Sequence, residues 1–336
     1  MSTATGAEDP GLLPDSERKQ ATRILAIINP SLPKSDLRKA RAVLRERLDG
    51  SLIDAVETEY PIHATQIAKQ AVMQSLDAIV VIGGDGTVNE VVNGIVGSSV
   101  PLAIIPTGTA NDLASFHHLP SDPESACRFL LRPHIEGVDV IRVNGWHYVT
   151  GGGFGFPSEV ARIANALKSR TGFGRIIARV LGSRLYSLAL LIALLKRADE
   201  SNPAVIQADD GLISGDFLWL MANNQPFIGK RFMVSPGAFN NDGMFDLCLV
   251  DNQRSRRAVL SIVRRVEAGS HTSLPAVRIG RFHELTIRLK KPVSFFGDGE
   301  TLQENTEFRV RVLPRSLRLI VGEARDIVVG AQDVPD

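Results

Sequence analysis

Apolar runs and helical repeats alternate through the first half of the chain. The apolar runs, which predict strands, cover 23–29, 52–57, 78–82 and 102–105, and the helical repeats cover 36–48, 64–73, 88–96 and a short stretch from residue 110. Strands that are apolar throughout and lead into helices are typical of a parallel sheet covered on both faces. We therefore predict an α/β domain, with its ligand at the carboxyl ends of the strands.

The second half carries shorter strands with polar turns between them. Asn144-Gly145 separates the apolar runs 138–143 and 146–150 and is a strong hairpin signal. Further strands are predicted at 204–208, 217–222, 245–250, 286–289, 293–296, 308–312 and 317–321, and helices at 158–167, 173–196 and 256–267. These patterns predict an antiparallel, mostly-β second domain. The expected division is a disordered tail at 1–20, a first domain at 21–142 and a second at 143–325, and a return of the last segment to the first domain is left open.

Composition and charge narrow the class of protein. The 336 residues are 44% hydrophobic and 22% charged, which is ordinary for globular proteins and excludes collagen or bulk disorder. The 38 Lys and Arg nearly cancel the 37 Asp and Glu, and a net charge of +1 gives no support for a nucleic-acid binder. Two cysteines cannot make a disulfide framework, and residues 1–19 lack an apolar signal segment, so a cytoplasmic protein is expected.

A glycine-rich loop, Gly83–Glu90, lies where the third predicted strand ends and a helix begins. Its glycines would let the backbone approach a ligand, and amides at a helix N-terminus point at anions, so a phosphate is the expected guest. Thr87 and Glu90 have the spacing of a capping box, and a plain capped turn is the alternative interpretation. Asp85 beside a phosphate would be repulsive without a bridging cation, which implies Mg²⁺.

A second loop of the same kind, Pro106–Asp112, follows the next predicted strand. Because the carboxyl ends of neighbouring parallel strands meet at one sheet edge, the two loops are expected to lie side by side. Other nucleotide motifs do not occur: the chain has no Gly-x4-Gly-Lys-Ser/Thr and no His-Arg-Asp or Asp-Phe-Gly. Asn89 stands where a dinucleotide fingerprint would need its third glycine, which disfavours a Rossmann dehydrogenase.

Four motifs in order resemble those of the diacylglycerol-kinase-type lipid kinases, over roughly residues 23–322. They are GGDGTVNE at 83–90, PTGTANDL at 106–113, Asn223 with SPGAFNNDGMFD at 235–246, and Asp298-Gly299-Glu300. The resemblance implies an N-terminal α/β domain with a parallel sheet, similar to NAD kinase and phosphofructokinase. It also implies that the mostly-β C-terminal domain is a sandwich, which would bind the lipid substrate.

The resemblance implies roles for individual residues at the nucleotide. Those expected to contact ATP are Asn29, Pro30, Lys34, Thr58, Gly83, Gly84, Asp85, Gly86, Thr87, Val88, Asn89, Glu90, Gly108, Thr109, Asn111 and Asp112. Leu32 and Pro33 differ from the small residues and glycine that usually follow the family's Asn-Pro pair.

Acidic residues are expected to organise Mg²⁺. By resemblance, Asp85, Asp112 and Asp139 belong to a Mg²⁺–water network near the phosphates. Asp242 matches a loop that holds a structural Mg²⁺ in family members, where carbonyl oxygens of Phe239 and Met244 would complete the site. The Asp242-Gly243 pair also fits a plain β-turn, and the sequence leaves both interpretations open.

The Asp298-Gly299-Glu300 motif is expected to supply the acid–base chemistry, across the cleft from the nucleotide. A hydroxyl that attacks the γ-phosphorus must lose its proton to a carboxylate within hydrogen-bond reach. Asp298 is the first choice for this base and Glu300 the second, with Asp85 as a further catalytic residue. The alternative interpretation is a tight turn between two strands.

The resemblance therefore implies an ATP- and Mg²⁺-dependent kinase acting on a hydroxyl of diacylglycerol or a related long-chain lipid. An NAD kinase-type enzyme shares Gly-Gly-Asp-Gly, but the combination of the 109–112 and 298–300 motifs favours the lipid branch. A catalytically silent nucleotide-binding regulator is the second alternative, supported by Leu32-Pro33. Family members often dimerise, so a homodimer is also expected, although no stretch of the sequence identifies an interface.

The apolar segment 176–195 has two interpretations. Its uninterrupted part, 185–195, is about half of the roughly 20 residues that a spanning helix needs, so we predict no membrane crossing. Basic residues flank or interrupt it, namely Lys168, Arg170, Arg175, Arg179 and Arg184. A helix packed on the β domain is the simpler interpretation, and peripheral contact with an anionic membrane surface at the inner face is the hypothesis that a lipid substrate favours.

Overall fold

The fold is described from a computed structural model. Its described residues are 23–30, 34–48, 51–131, 133–169, 184–196, 201–208, 211–302 and 304–322. The expected tail at 1–20, the Leu32-Pro33 departure and most of the basic residues around 176–195 lie outside these residues or have side chains outside the description.

Parallel strands build the first half. Its elements are β1 (Ile24–Ile28), α1 (Lys34–Arg47), β2 (Leu52–Glu57), α2 (His63–Val72), β3 (Ala78–Gly83), α3 (Asp85–Ile95), β4 (Leu102–Pro106), α4 (Asp112–Phe116) and α5 (Pro123–Leu131). The strands pair in parallel in the order β2-β1-β3-β4, and β1, β3 and β4 are buried along their whole length. Helix α5 was not predicted.

Alternate residues of β1 belong to two separate cores. Leu25 and Ile27 pack with residues of α2 and α3, whereas Ile24, Ala26 and Ile28 pack with residues of α1 and α5. The predicted parallel sheet, covered by helices on both faces, is therefore confirmed.

Antiparallel strands dominate the second half. Its elements are β5 (His134–Val143), β6 (Trp146–Tyr148), β7 (Gly151–Gly155), α6 (Phe156–Ser169), α7 (Arg184–Lys196), β8 (Pro203–Ala208), β9 (Gly211–Asn223), β10 (Phe227–Ile228), β11 (Phe232–Met233), β12 (Phe245–Asp251), α8 (Arg256–Glu267), β13 (Val277–Phe282), β14 (Glu284–Val293), β15 (Phe296–Gly297), β16 (Glu300–Thr301) and β17 (Asn305–Val321). The hairpin at Asn144-Gly145 is confirmed, since both residues have positive φ and β5 pairs with β6. None of the helices in the described part of the chain is both long and apolar enough to span a bilayer.

Strand β9 passes from one layer of a sandwich to the other. Its first half pairs with β8, and its second half pairs with β7 and β12. Inward side chains from both layers form one buried cluster, which includes Phe154, Phe217 and Phe308. Helices α6, α7 and α8 cover the outer face of the β7-β9-β12 layer through a second cluster around Trp219. The mostly-β sandwich is thus confirmed.

The long strand β17 joins the two halves. It pairs antiparallel with β14 and β5, and at Leu319 it pairs in parallel with Leu102 of β4. The prediction of two separate strands here was wrong, because residues 314–316 form a bulge inside one strand rather than a turn. The last strand therefore completes the first sheet as well as the sandwich.

Some strands were missed or misplaced for local reasons. Strand β7 reads Gly-Gly-Gly-Phe-Gly, and a Cβ on Gly153 would lie 1.9 Å from the carbonyl oxygen of Leu220. Only glycine permits this approach of β7 to β9. Because glycine has a low strand propensity, the sequence did not predict this strand. The predicted strand 293–296 is instead the end of β14 and the start of β15.

Candidate active site

The two glycine loops touch each other at the edge of the first sheet. The amide of Thr107 donates to the carbonyl of Gly83 at 2.9 Å. A Cβ on Gly108 would lie 2.7 Å from Cα of Gly84, which leaves no room for a side chain at this contact. The predicted juxtaposition of the loops is confirmed.

The predicted capping box at Thr87 and Glu90 was wrong. Helix α3 begins at Asp85, its N-cap residue is Gly84, and no side chain caps it. Thr87 Oγ1 instead accepts a hydrogen bond from Asn29 Nδ2 at 2.9 Å, and Glu90 Oε2 accepts one from the amide of Ala64 at 3.0 Å. These two side chains therefore tie α3 to the end of β1 and the start of α2.

Asp85 connects the first loop to the second. Its two carboxylate oxygens accept hydrogen bonds from the amides of Asn111 and Asp112, at 2.8 and 2.7 Å. Asn111 adopts a positive φ of 50°, and its side chain closes the loop by bonding both the amide and the carbonyl of Gly108 at 2.9 Å. The loop is thus held in one conformation by its own polar groups.

Asp112 extends the connection to the second half of the chain. Its carboxylate accepts hydrogen bonds from the amides of Gly229 and Lys230, at 2.6 and 3.0 Å. Burial raises the pKa of Asp112 to about 6, the two amides oppose that rise, and the nearby charges of Asp85 and Asp298 add to it.

Asp298 is buried and bonded on both carboxylate oxygens. Thr150 donates from its amide and its hydroxyl, at 2.8 and 2.6 Å, while the amide of Val149 and Nδ2 of Asn89 donate at 3.0 and 2.9 Å. Burial raises the pKa of Asp298, and these donors oppose the rise. Asp298 and Gly299 both have positive φ and form the two-residue turn between β15 and β16. The turn interpretation and the functional one thus describe the same residues.

Hydrogen bonds from two asparagine side chains connect α3 to the sandwich. Asn89 also donates to the carbonyl of His147 at 2.9 Å, and Asn93, one turn later, bonds both the amide and the carbonyl of His147. Asn89 was expected at the nucleotide; its buried side chain joins α3, β6 and Asp298.

Glu300 differs from Asp298 in being accessible. Its side chain is exposed at the start of β16, and Oε1 lies 3.2 Å from where a Cβ would stand on Gly86 of the first loop. No described residue forms a hydrogen bond to its carboxylate in the structure. Partial desolvation raises the pKa of Glu300, and the charges of Glu90 and Asp298 add to that rise.

An apolar cavity of about 370 Å³ opens beside these carboxylates. Asp85, Asp112 and Asp298 line one end of it, together with Thr109. Aromatic and aliphatic side chains from α6, β9, β11 and β15 line the rest, Phe156, Trp219, Met221, Phe232 and Phe296 among them. The site therefore presents charge at one end and a lipophilic interior at the other.

The remaining predicted residues surround the loops or lie apart from them. Asn29 and Thr58 follow neighbouring strands, where the amide of Thr58 donates to Ile28, and Pro30 is exposed. Val88 is buried in the core, and the side chain of Lys34 lies outside the described residues.

The predicted structural Mg²⁺ site has a different set of contacts. Asp242 pairs with Arg281 and accepts from the amide of Met244, while Phe239 is exposed. Buried Asp139 accepts from the amides of Gly243 and Arg315, at 2.6 and 2.7 Å. No three His, Cys, Asp or Glu side chains converge as a metal site within the described ranges. The structural Mg²⁺ stays a prediction.

Sequence reasoning missed two parts of the site. Thr150, which donates twice to Asp298, ended a predicted strand and carried no motif. The 227–233 hairpin, made of β10, β11 and the turn between them, lines the cavity but consists of two-residue strands too short for a periodic signal.

Comparisons with known proteins agree with this arrangement. A sequence profile described as "Diacylglycerol kinase catalytic domain" matches residues 23–143, and one described as "YegS C-terminal NAD kinase beta sandwich-like domain" matches residues 154–321. The chain is 29% identical over 265 residues to a "Probable lipid kinase YegS-like" of Alcanivorax borkumensis, covering 77% of this chain and 84% of that one.

Two further relatives extend the comparison. A "Diacylglycerol kinase" of Staphylococcus saprophyticus is 28% identical over 287 residues, covering 83% of this chain and 88% of that one. A crystal structure described as a diacylglycerol kinase from Bacillus anthracis superimposes with a TM-score of 0.67 at 20% identity, covering 91% of this chain and 99% of that one. At that level of sequence identity, the structural match is evidence for the fold alone.

The contact between the loops yields a first prediction. Gly108→Ala places a methyl group 2.7 Å from both Cα of Gly84 and Oδ1 of Asn111, so the loops must separate. We expect nucleotide affinity to fall by about tenfold or more, because overpacking of this kind costs roughly 1–3 kcal/mol. Calorimetric titration with Mg²⁺ and ATP measures it.

Gly237→Ala is the matched control, since no atom lies within 4 Å of its added Cβ. If Gly108→Ala binds nucleotide as well as Gly237→Ala does, the loop contact does not shape the nucleotide site.

Proposed function

Because the chain belongs to the diacylglycerol-kinase-type lipid kinase family, and so is a phosphotransferase with an alcohol acceptor, we propose that it phosphorylates diacylglycerol or a related long-chain lipid with ATP and Mg²⁺. The observation that carries this proposal is the apolar cavity that opens beside Asp85, Asp112 and Asp298. A hydroxyl at its charged end would lie next to the glycine loops, with the hydrocarbon inside.

The cavity walls favour a lipid over a soluble acceptor. A volume of 370 Å³ is in the range of small-molecule sites, and its lining is mainly apolar. Each methylene buried there would contribute roughly 0.8 kcal/mol. A polar acceptor such as a dinucleotide would leave hydrogen-bonding groups against Trp219, Met221 and Phe296 without partners, which is costly.

The residues at the loops fit a nucleotide and a divalent cation. The contact between Gly84 and Gly108 brings both loops to the N-terminus of α3, whose amides would face phosphates, and carboxylates are hard oxygen donors of the kind Mg²⁺ prefers. Burial is the main cause of the raised pKa of Asp112, and the nearby negative charges of Asp85 and Asp298 add to it. Asp85 and Asp112 would hold the ion, and bound Mg²⁺ supplies charge neutralisation at the phosphates.

Of the two candidate bases, hydrogen bonding supports Glu300. Asp298 already accepts four hydrogen bonds, so its lone pairs are largely occupied, and it acts best by fixing the turn that carries Glu300. Glu300 is accessible, close to Gly86, and has a raised pKa, which makes it a stronger proton acceptor.

The transfer itself balances with these groups. The lipid oxygen forms a bond to the γ-phosphorus as the bond from that phosphorus to the β–γ bridging oxygen breaks, and ADP leaves. The hydroxyl proton goes to Glu300. The chain's own contribution is positioning: the glycine loops orient the phosphates and the cavity orients the hydroxyl.

We further propose that the protein reaches its lipid at an anionic membrane surface through α7 and α8. Leu188, Leu191 and Leu195 lie on one face of α7 and are 37%, 53% and 62% exposed. Arg256 of α8 donates to the carbonyl of Leu195, so the start of this basic helix, which also exposes Arg257, Arg264 and Arg265, meets the end of the apolar face. An apolar face beside a basic one suits a bilayer with anionic lipid.

The transfer assay tests the proposed function. With γ-labelled ATP and Mg²⁺, we expect label to pass to dioctanoylglycerol or another lipid in mixed micelles, and not to NAD. EDTA should abolish the product. Label on NAD would transfer the assignment to an NAD kinase-type reaction, and binding of ATP without label on any acceptor would favour a silent regulator.

The base assignment is tested by Glu300→Gln. We expect kcat to fall by about 10²–10⁴-fold, the usual loss for a general base, with nucleotide affinity kept. In the wild type, protonation of Glu300 removes the base, so kcat falls as pH drops. Because the pKa of Glu300 is raised, this decline begins at a higher pH than for an ordinary glutamate. Glu304→Gln is the control. A fully active Glu300→Gln variant would show that Glu300 is not the general base and would favour Asp298 in that role.

The membrane proposal is tested by Leu191→Asp. A charge in the middle of the exposed face should weaken binding to vesicles containing phosphatidylglycerol by about tenfold, the worth of burying one leucine. Flotation at low salt measures it. Leu212→Asp is the control because Leu212 is 70% exposed and belongs to the β8–β9 hairpin rather than to α7 or α8. Equal flotation of the two variants would exclude this surface.

A further inference from the structure

The 227–233 hairpin forms one wall of the acceptor cavity. Its strands pair through Phe227 with Met233 and Ile228 with Phe232. Ile228, Phe232 and the turn residues between them all line the cavity. The shape of the cavity therefore depends on where this hairpin lies.

The turn of the hairpin is strained. Gly229 and Lys230 have φ of 64° and 61°, in the left-handed region, which glycine adopts freely and lysine only at a cost in energy. The amides of these same two residues donate to the two carboxylate oxygens of Asp112. Charge-assisted bonds to one carboxylate thus hold both residues in a conformation that Lys230 would otherwise leave.

The other side of Asp112 is tied to the nucleotide loop. Its own amide donates to Asp85 at 2.7 Å, and both aspartates line the same end of the cavity. The turn is held at a second point, since Arg231 pairs with Glu267 at the end of α8 at 3.1 Å. A continuous set of hydrogen bonds therefore runs from Asp85 through Asp112 to the cavity wall.

We propose that Asp112 is a positioning residue for the 227–233 hairpin, through which the nucleotide loop sets the shape of the lipid cavity. This inference rests on the proposed function and assigns Asp112 a role on the acceptor side of the site. Since coupling between two binding sites is reciprocal, nucleotide should tighten lipid binding and lipid should tighten nucleotide binding by the same factor.

Asp112→Asn tests this role. The amide can accept one of the two hydrogen bonds but presents a donor to the other, so the turn loses part of its support. We expect KM for dioctanoylglycerol to rise by about tenfold. The factor by which each ligand raises the affinity for the other should fall towards one. A variant with weakened nucleotide binding but wild-type lipid KM would overturn the proposal and leave the proposed function intact.

A rescue variant separates positioning from a general loss of structure. Lys230→Gly removes the cost of positive φ, so in the Asp112→Asn background it should recover lipid KM by about fivefold. Lys230→Ala is the matched control, because it also removes the ammonium group but keeps the strained φ, and it should give no recovery. Equal behaviour of the two double variants would contradict the proposal.

Hydrogen exchange gives a readout that does not need turnover. In the wild type, we expect Mg²⁺ and ATP to slow exchange in peptides covering 227–233, and Asp112→Asn to speed exchange there and remove the nucleotide effect. Unchanged exchange in Asp112→Asn would overturn the inference. If the wild type phosphorylates no lipid but shows these exchange effects, the proposed acceptor fails while the coupling stands.

Discussion

Carboxylates that are buried or half-buried, and that bind backbone amides of a distant segment, hold this active site together. Asp85 binds the loop at 111–112, Asp112 binds the turn at 229–230, and Asp298 binds the strand end at 149–150. Burying a carboxylate is costly unless donors surround it, and each of these three has at least two. The desolvation cost is thereby offset, and every bond made for that purpose also fixes one chain segment against another.

The long strands place these segments within reach. Residues 89 and 298 are far apart in sequence, yet Asn89 and Asp298 form a buried hydrogen bond. Strand β17 completes the first sheet at its end and the sandwich at its start, and β5 runs beside it through both parts. With the two halves sharing this framework, the β15–β16 turn is held opposite the glycine loops, where Glu300 comes close to Gly86.

Local chemistry made part of this site predictable from sequence. The parallel sheet and the contact between loops followed from apolar runs and from glycines at strand ends, which are local signals. The capping box failed because Thr87 and Glu90 found partners on other elements, Asn29 and Ala64, that no local rule reveals. Thr150, the 227–233 hairpin and the donors that bond each carboxylate could not be predicted for the same reason: they depend on tertiary contacts between residues far apart along the chain.

The acidity of the cleft serves two requirements that oppose each other. Partial burial raises the pKa of Glu300, and the charges of Glu90 and Asp298 add to that rise and make it a better base. The same negative field disfavours the approach of a polyphosphate. The requirements are compatible only if positive charge is concentrated on the phosphate side of the cleft. Described cavity-lining cations are Lys230 and Arg231, and Arg231 is already paired with Glu267. The deficit of positive charge at Asp85 and Asp112 is therefore the strongest physical reason to expect a divalent cation to accompany the nucleotide.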